Sequence, residues 1–450
     1  MPPPAQPSRY GAASAEGEPV SQTTSANTGI RTHVWAKRLS HADKTQPNPV
    51  AGFADLRGAS RLAIDAVAGI TDLVEDMHRN IAGLAPPLGR APSGGAGGIS
   101  GLVYRSVRGV TRAVGFGLDL ALARLTPLLG TTRSSPRREA VLAALNGVLG
   151  DYLAATNNPL AIHMQVRRGG TALELSRAAL TRAIPQASAK ILVLVHGLCM
   201  NDLQWKRDGH DHGAALAAEL GYTTLYLHYN SGLHISTNGR AFAALLQQVH
   251  AAWPVPVEQL VIVGHSMGGL LARSACHYAK LARTAWLRKL DALVFLGTPH
   301  HGAPLERAGN RVHLLAGISP YTAPFTRLAR LRSAGVKDLR HGNLLDTDWV
   351  GVGATHLPDI RNPVPLPARV ACYALAASKR AQPATAPRQH LGDGLVGVRS
   401  ALGLHDDPAR TLAIPATQRK ICYALNHFDL LSSAEVYATL HDWLSKQPRA

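Results

Sequence analysis

"VIVGHSMGGLLAR", residues 261–273, sets a lone serine between two glycines where two opposite patterns meet. Upstream, "QLVIVG" (259–264) is apolar and β-branched, the composition of a strand buried on both faces. Downstream, "MGGLLARSACHYAK" (267–280) is a helix-forming run. A serine at such a junction is either a plain turn residue or a nucleophile on a sharp strand-to-helix bend, where flanking glycines let two backbones pass closely. The helix that follows would also offer its free N–H groups and partial positive charge to a developing oxyanion. In a chain with 42 glycines a G-x-S-x-G match arises readily by chance, so the flanks carry the reading more than the motif does.

The same pattern extends on both sides. "KILVLVHG" (190–197), "TTLYLHYN" (223–230), "DALVFLGT" (291–298), "ARVACYALA" (368–376) and "KICYAL" (420–425) are short and almost wholly apolar, and helical segments separate most of them. Such runs predict a mostly parallel sheet with helices on both faces, an α/β class fold. Before them, "AIHMQVRRGGTALEL" (161–175) reads as a hairpin turning at Gly169-Gly170. Between the strands that end near 297 and start near 369, residues 303–368 form a long insertion, placed where a lid or acyl-binding wall would sit.

The amino-terminal third is organised differently. Residues 1–50 are rich in Pro, Ser, Thr and Ala without periodicity and are expected to be disordered or loosely attached. Residues 51–158 are expected to be helical, as a cap or surface-association module, with 159–450 as the catalytic domain. Leu62, Ala66, Ile70, Leu73, Met77 and Ile81 fall at helical spacing, and a second run places Val103, Val107, Val110 and Val114 on one stripe with Arg105, Arg108 and Arg112 on another. A third run starts after Ser135-Pro136, where proline suits the first helical position. The apolar and arginine stripes of the second run are those of a helix that lies on an anionic membrane or polyester surface; packing on the catalytic domain is the competing expectation.

The net charge of +18 raises nucleic acid as a partner, yet the arginines are scattered, with no basic block and no interleaved aromatic ladder, so no nucleic acid is expected. Four cysteines, at 199, 276, 372 and 422, are too few and too dispersed for a disulfide framework and read as buried thiols. The amino terminus lacks the apolar core of a secretory signal, and no run of about 18 apolar residues occurs, so a cytoplasmic protein is expected, with membrane-surface association as an option.

If Ser266 is a nucleophile, the remaining roles have candidates. Met267 would give one oxyanion N–H, and Leu198, where "KILVLVHG" ends, would give the second. His427, in "KICYALNHFDLL" (420–431), follows the last predicted strand and faces the same crevice as the serine loop. His300 and His301, in "LGTPHHGAP" (296–304), are expected to line the substrate pocket and are the rival bases. Asp393, in "HLGDGLVGVRSA" (390–401), completes the chain order Ser…Asp…His; Asp346, Asp348, Asp406 and Asp407 are its rivals. The pair Asp346 and Asp348 is too sparse for a cation site and reads as a loop or helix cap. No metal and no organic cofactor is expected.

Taken together and in this order, "VLVHGL", "VIVGHSMGGLLAR", "FLGTPHHGAP", "GDGLV" and "NHFDLL" resemble the bacterial lipases and esterases of the α/β-hydrolase superfamily, and especially the branch grouped with GPI-inositol-deacylase-like hydrolases. The resemblance covers roughly residues 160–450. It implies that Ser266, Asp393 and His427 form a triad, that Leu198 and Met267 donate the oxyanion hydrogen bonds, and that an ester or lipid is the substrate. A thioesterase, amidase or acyltransferase with the same triad, and a non-catalytic lipid-surface scaffold, are the alternatives. Unlike many extracellular relatives, the chain has no evident secretion signal or disulfide.

Overall fold

The computed structural model of the protein describes residues 136–303, 333–350, 361–381 and 392–446. In chain order its elements are helix α1 (Pro136–Ala155), strands β1 (Gln165–Arg168) and β2 (Thr171–Ala172), α2 (Arg177–Ala183), β3 (Lys190–Val195), α3 (His212–Leu220), β4 (Thr223–His228), α4 (Ile235–Ala252), β5 (Gln259–His265), α5 (Met267–Leu281), β6 (Leu290–Leu296), α6 (Ala334–His341), β7 (Ala371–Ser378), β8 (Arg419–Tyr423) and α7 (Ala434–Ser445). Short 3₁₀ turns and a one-turn helix, Val398–Ala401, occupy several of the connections.

The strands form one eight-stranded sheet in the order β2-β1-β4-β3-β5-β6-β7-β8. From β4 to β8 every pairing is parallel, whereas the β1–β2 hairpin adds to one edge in antiparallel sense. The six apolar runs are β3 to β8. Their lack of alternation follows from position: β5 is buried at every residue, between β3 and β6 and beneath helices. Leu192, Val193, Val261 and Ile262 have no exposed surface, so truncating any one of them would cost about 2–5 kcal/mol. This is the mostly parallel, helix-flanked sheet of an α/β-hydrolase fold. Every strand from β3 on delivers its carboxyl end to the same edge.

Helix α1 is the third of the amino-terminal helical runs and starts at Pro136, as expected. It is apolar nearly all round and correspondingly buried, with Leu145 and Leu153 wholly enclosed. Its polar groups are also spent inward. Asn146 donates to the Leu160 carbonyl at 2.8 Å and accepts from the Ile162 N–H at 2.9 Å, while Glu139 pairs with Arg167 of β1 at 2.8 Å. The loop after β4 joins in through Asn230, whose amide donates to the Gly150 carbonyl at 2.9 Å. The helix is therefore part of the core. The stretch expected to be loosely attached (1–50), the helical runs over 56–84 and 103–125, and insertion residues 304–332 and 351–360 lie outside the described residues. Among the described residues no helix is long and apolar enough to cross a membrane. All four cysteines are unpaired and buried.

Candidate active site

Ser266 sits between β5 and α5 with φ 54° and ψ −123°, a backbone conformation that costs a non-glycine residue on the order of 1–3 kcal/mol. The surroundings impose it. The Ser266 N–H donates to the Leu296 carbonyl at the end of β6 (2.8 Å), and its own carbonyl accepts from Gly269 (3.1 Å). The turn is tight enough that a side chain at Gly264 would strike the Gly269 backbone at 2.5–2.6 Å, and one at Gly268 would strike the Val195 carbonyl oxygen. The two glycines of the motif thus remove side chains where strand, turn and helix cross.

The loop after β3 lies against this bend. A Cβ at Gly197 would stand 3.1 Å from the Ser266 Cβ, so any side chain there would press on the serine. Leu198 and Met267 follow directly from these two contacts, and both are buried. Met267 opens α5, where amide groups have no intrahelical acceptor. The loop is pinned from below: the Tyr229 hydroxyl donates to the His196 carbonyl at 2.9 Å, the two rings stack at 4.3 Å, and the Cys199 N–H donates to Ser231 Oγ at 3.0 Å. Burial takes the His196 imidazole down to about 3, so that ring is neutral and structural.

Asp393 and His427 come from different loops and meet. His427 Nδ1 and Asp393 Oδ2 are 2.6 Å apart, with both side chains at most 2% exposed. The other carboxylate oxygen, Oδ1, accepts from the Leu395 and Val396 N–H groups at 2.9 and 2.8 Å. Asp393 is therefore fixed as an acceptor, which puts the proton of neutral His427 on Nδ1 and leaves Nε2 as its basic nitrogen. The His427 turn caps itself: Asn426 Oδ1 accepts from the Phe428 N–H at 2.8 Å, and Asp429 Oδ2 accepts from the Asn426 N–H at 2.7 Å.

Contacts through β6 relate His427 to Ser266. Gly297, next to the Leu296 that accepts from Ser266, leaves a space that a Cβ could enter only at 3.1–3.2 Å from the His427 ring. His265, next to Ser266 on the other side, has its ring 4.7 Å from that of His427, and its Nε2–H donates to the His427 carbonyl at 3.1 Å. From the sequence, His265 is expected to point elsewhere in the turn; it points away from solvent, beneath the catalytic-loop candidate. His212 Nε2–H likewise donates to the Leu430 carbonyl at 3.0 Å, and accepts on Nδ1 from His210 Nε2–H at 2.8 Å. Nothing in the sequence flags either supporting contact, because each joins a side chain to a backbone carbonyl more than 150 residues away.

The rival acids are occupied elsewhere. Asp346 binds Ser236 Oγ at 2.7 Å and pairs with Arg240; Asp348 Oδ2 accepts from the Leu344 and Leu345 N–H groups at 2.8 and 3.0 Å. Asp406 pairs with Arg399 at the surface, and Asp407 caps a turn at Ala409. Among the described residues, neither rival base meets an acid. His300 is buried, with Nδ1 3.3 Å from Arg273 Nη1, and burial holds its ring well below the ordinary imidazole range. His300 and His301 do line a cavity, of about 620 Å³, but Ser266, Asp393 and His427 are not among its walls.

With a positive-φ serine after β5, an acid after β7 and a histidine after β8, the parallel sheet has the layout of the α/β-hydrolase fold. More particularly, residues 221–355 match the family model of the PGAP1-like alpha/beta domain, in line with the branch that the motifs resemble. That stretch includes Ser266 and ends before Asp393. Among solved structures, the chain is similar to the mature lipase BlEst2 of Bacillus licheniformis at 16% identity, over 63% of this chain and 98% of that one, with a TM-score of 0.36. It is similar to the Pyrococcus furiosus esterase Pf2001 at 14% identity, over 58% and 83%, with a TM-score of 0.35. The phospholipase PlaB of Legionella pneumophila is similar at 15% identity, over 47% and 45%, with a TM-score of 0.31. These likenesses are too distant to bear on substrate. No curated protein matches the sequence significantly.

Proposed function

We propose that the protein is a serine hydrolase that cleaves carboxylic esters through an acyl-enzyme. The observation that carries this reading is the buried 2.6 Å contact between Asp393 and His427, at the sheet edge where Ser266 stands on its bend. His427 Nε2 takes the proton of Ser266 Oγ as the oxygen attacks the ester carbonyl. The Leu198 and Met267 N–H groups receive the resulting oxyanion, each contributing about 2.7–4 kcal/mol to the transition state. His427 then returns its proton to the leaving alcohol, so the C–O bond breaks and the acyl group stays on Ser266. Water, deprotonated by His427, attacks the acyl-serine, releases the carboxylic acid and restores the serine hydroxyl.

An ester or lipid with a carboxylic acyl chain is the proposed substrate class, and 303–368 the proposed acyl-side insertion. His300 and His301 line a cavity whose walls do not include Ser266, Asp393 or His427. Residues 159–450 are the proposed catalytic domain, with α1 packed against them. The reading is tested by treating the protein with a fluorophosphonate probe and mapping the adduct by peptide mass spectrometry. The adduct is expected on Ser266 alone and is expected to vanish in Ser266→Ala and Asp393→Ala. Absence of labelling at Ser266 in the intact protein would favour the non-catalytic scaffold.

A further inference from the structure

The cavity lined by Arg273 of α5 has a wall chemistry of its own. Arg273, two turns along α5 from Ser266 and so about 10 Å away along the axis, is 5% exposed. Its guanidinium meets two neutral groups, His300 Nδ1 at 3.3 Å and the Val364 carbonyl at 2.8 Å. Among the described residues it makes no ion pair. Burial, and after it the charge of another guanidinium, that of Arg361, pulls its pKa down to about 10. Arg273 therefore remains a cation at neutral pH.

Removing a cation from water without a counter-charge is strongly unfavourable. Arg361, Arg369 and Arg410 line the cavity as well, Arg410 paired through Nε with Asp407 at 3.5 Å, and Asp348 is the only carboxylate among its described lining residues. Asp348 is itself committed through Oδ2 to two backbone N–H groups. Arg361 is held in place by its bond to the Gly342 carbonyl at 2.8 Å, and Arg410 by its bond to the Arg361 carbonyl at 3.1 Å. One side of the space is the segment "NPVPLP" (362–367), whose three prolines fix the backbone that faces Arg273. Val364, Leu366 and Leu412 give that wall an apolar part.

The geometry points to a second ligand site here, for an oxyanion (a phosphate or a carboxylate) carried on an apolar body of metabolite size. A guanidinium offers planar pairs of N–H donors that match such groups, and several cations in a low-dielectric cleft focus the field on it. About 620 Å³ exceeds what a bare inorganic ion fills and lies within the range of small-molecule pockets. The site does not depend on the serine chemistry, since no triad residue reaches it.

The test is calorimetric titration of the full chain carrying Ser266→Ala with octyl phosphate, octanoate, inorganic phosphate and octanol. Saturable binding of octyl phosphate or octanoate is expected, weaker binding of inorganic phosphate, and none of octanol; the tighter of the first two identifies the headgroup. Arg273→Gln is expected to raise Kd roughly tenfold or more and Arg369→Gln, an exposed position at the rim, by a smaller factor. Binding should also weaken with added salt. If Arg273→Gln does not fold, the rim variant and the octanol comparison still decide. Equal Kd values in the parent and both arginine variants, equal affinity for octanol, or no anion binding up to about 10 mM would overturn the proposal. Because the titration excludes hydrolysis, its failure leaves the serine reading untouched, and loss of the serine reading leaves the anion site standing.

Discussion

Asp393 Oδ2 lies 2.6 Å from His427 Nδ1, and its partner oxygen is held by two backbone N–H groups. The carboxylate is thereby held independently of the histidine, with its other oxygen as the acceptor facing His427. Asp393→Asn keeps the shape and replaces the acceptor facing His427 by an amide that can present N–H. His427 would then take the other tautomer, with its proton on the nitrogen needed as base. The expected loss is about 10⁴-fold in kcat, with KM changed little. A loss of less than about tenfold would remove Asp393 from the triad.

His265 is predicted to be a positioning residue. Its Nε2–H holds the His427 carbonyl, and its ring fills the space between His427 and Trp205. His265→Phe keeps an aromatic ring but leaves a buried carbonyl unsatisfied, a cost of about 1–3 kcal/mol. The expectation is a kcat lower by roughly 5- to 100-fold at constant KM, with partial rescue in His265→Gln, which can restore an N–H donor. Equal kcat in the parent and the Phe variant, measured on one ester, would show that the bond does not matter for catalysis.

Stability should depend on pH through the neutral histidines of the core. Burial lowers His196 to about 3 and His212 to about 4, and pushes His265 and His300 well below the ordinary range. In the unfolded chain each would titrate near about 6.5. Between those values the unfolded state binds more protons than the folded one, so stability is complete above about pH 6.5 and is lost as pH falls toward about 4. The melting temperature, followed by differential scanning calorimetry, should be level from about pH 7 to 8 and fall by several degrees by about pH 5. A melting temperature that rises on acidification would contradict these assignments.

Much of this architecture is legible in the sequence, for a physical reason. Strands buried on both faces must be apolar throughout, so β3 to β8 stand out as runs. The candidates Ser266, Asp393 and His427 follow β5, β7 and β8 in turn, so their order along the chain is enough to nominate them. What is not legible is the support beneath them. His212 reaches Leu430 across 218 positions, and His265 reaches His427 across 162, in both cases through a backbone carbonyl that leaves no trace in residue type. The depth at which α1 is held is equally hidden, since it depends on Gly147 letting Cys199 approach and on Asn230 reaching Gly150. His300 illustrates the converse: a motif beside a strand end is visible, but its ring lies against Arg273, which periodicity assigns only to a helix.

Ser266 is the proposed nucleophile, and hydrolysis of p-nitrophenyl esters from acetate to palmitate by the intact protein and by Ser266→Ala, purified in parallel, tests that role. The intact protein should turn over at least one chain length, and the variant should fall to background, a loss on the order of 10⁶ in kcat. Equal rates in both proteins, or none in either, would contradict the ester hydrolase.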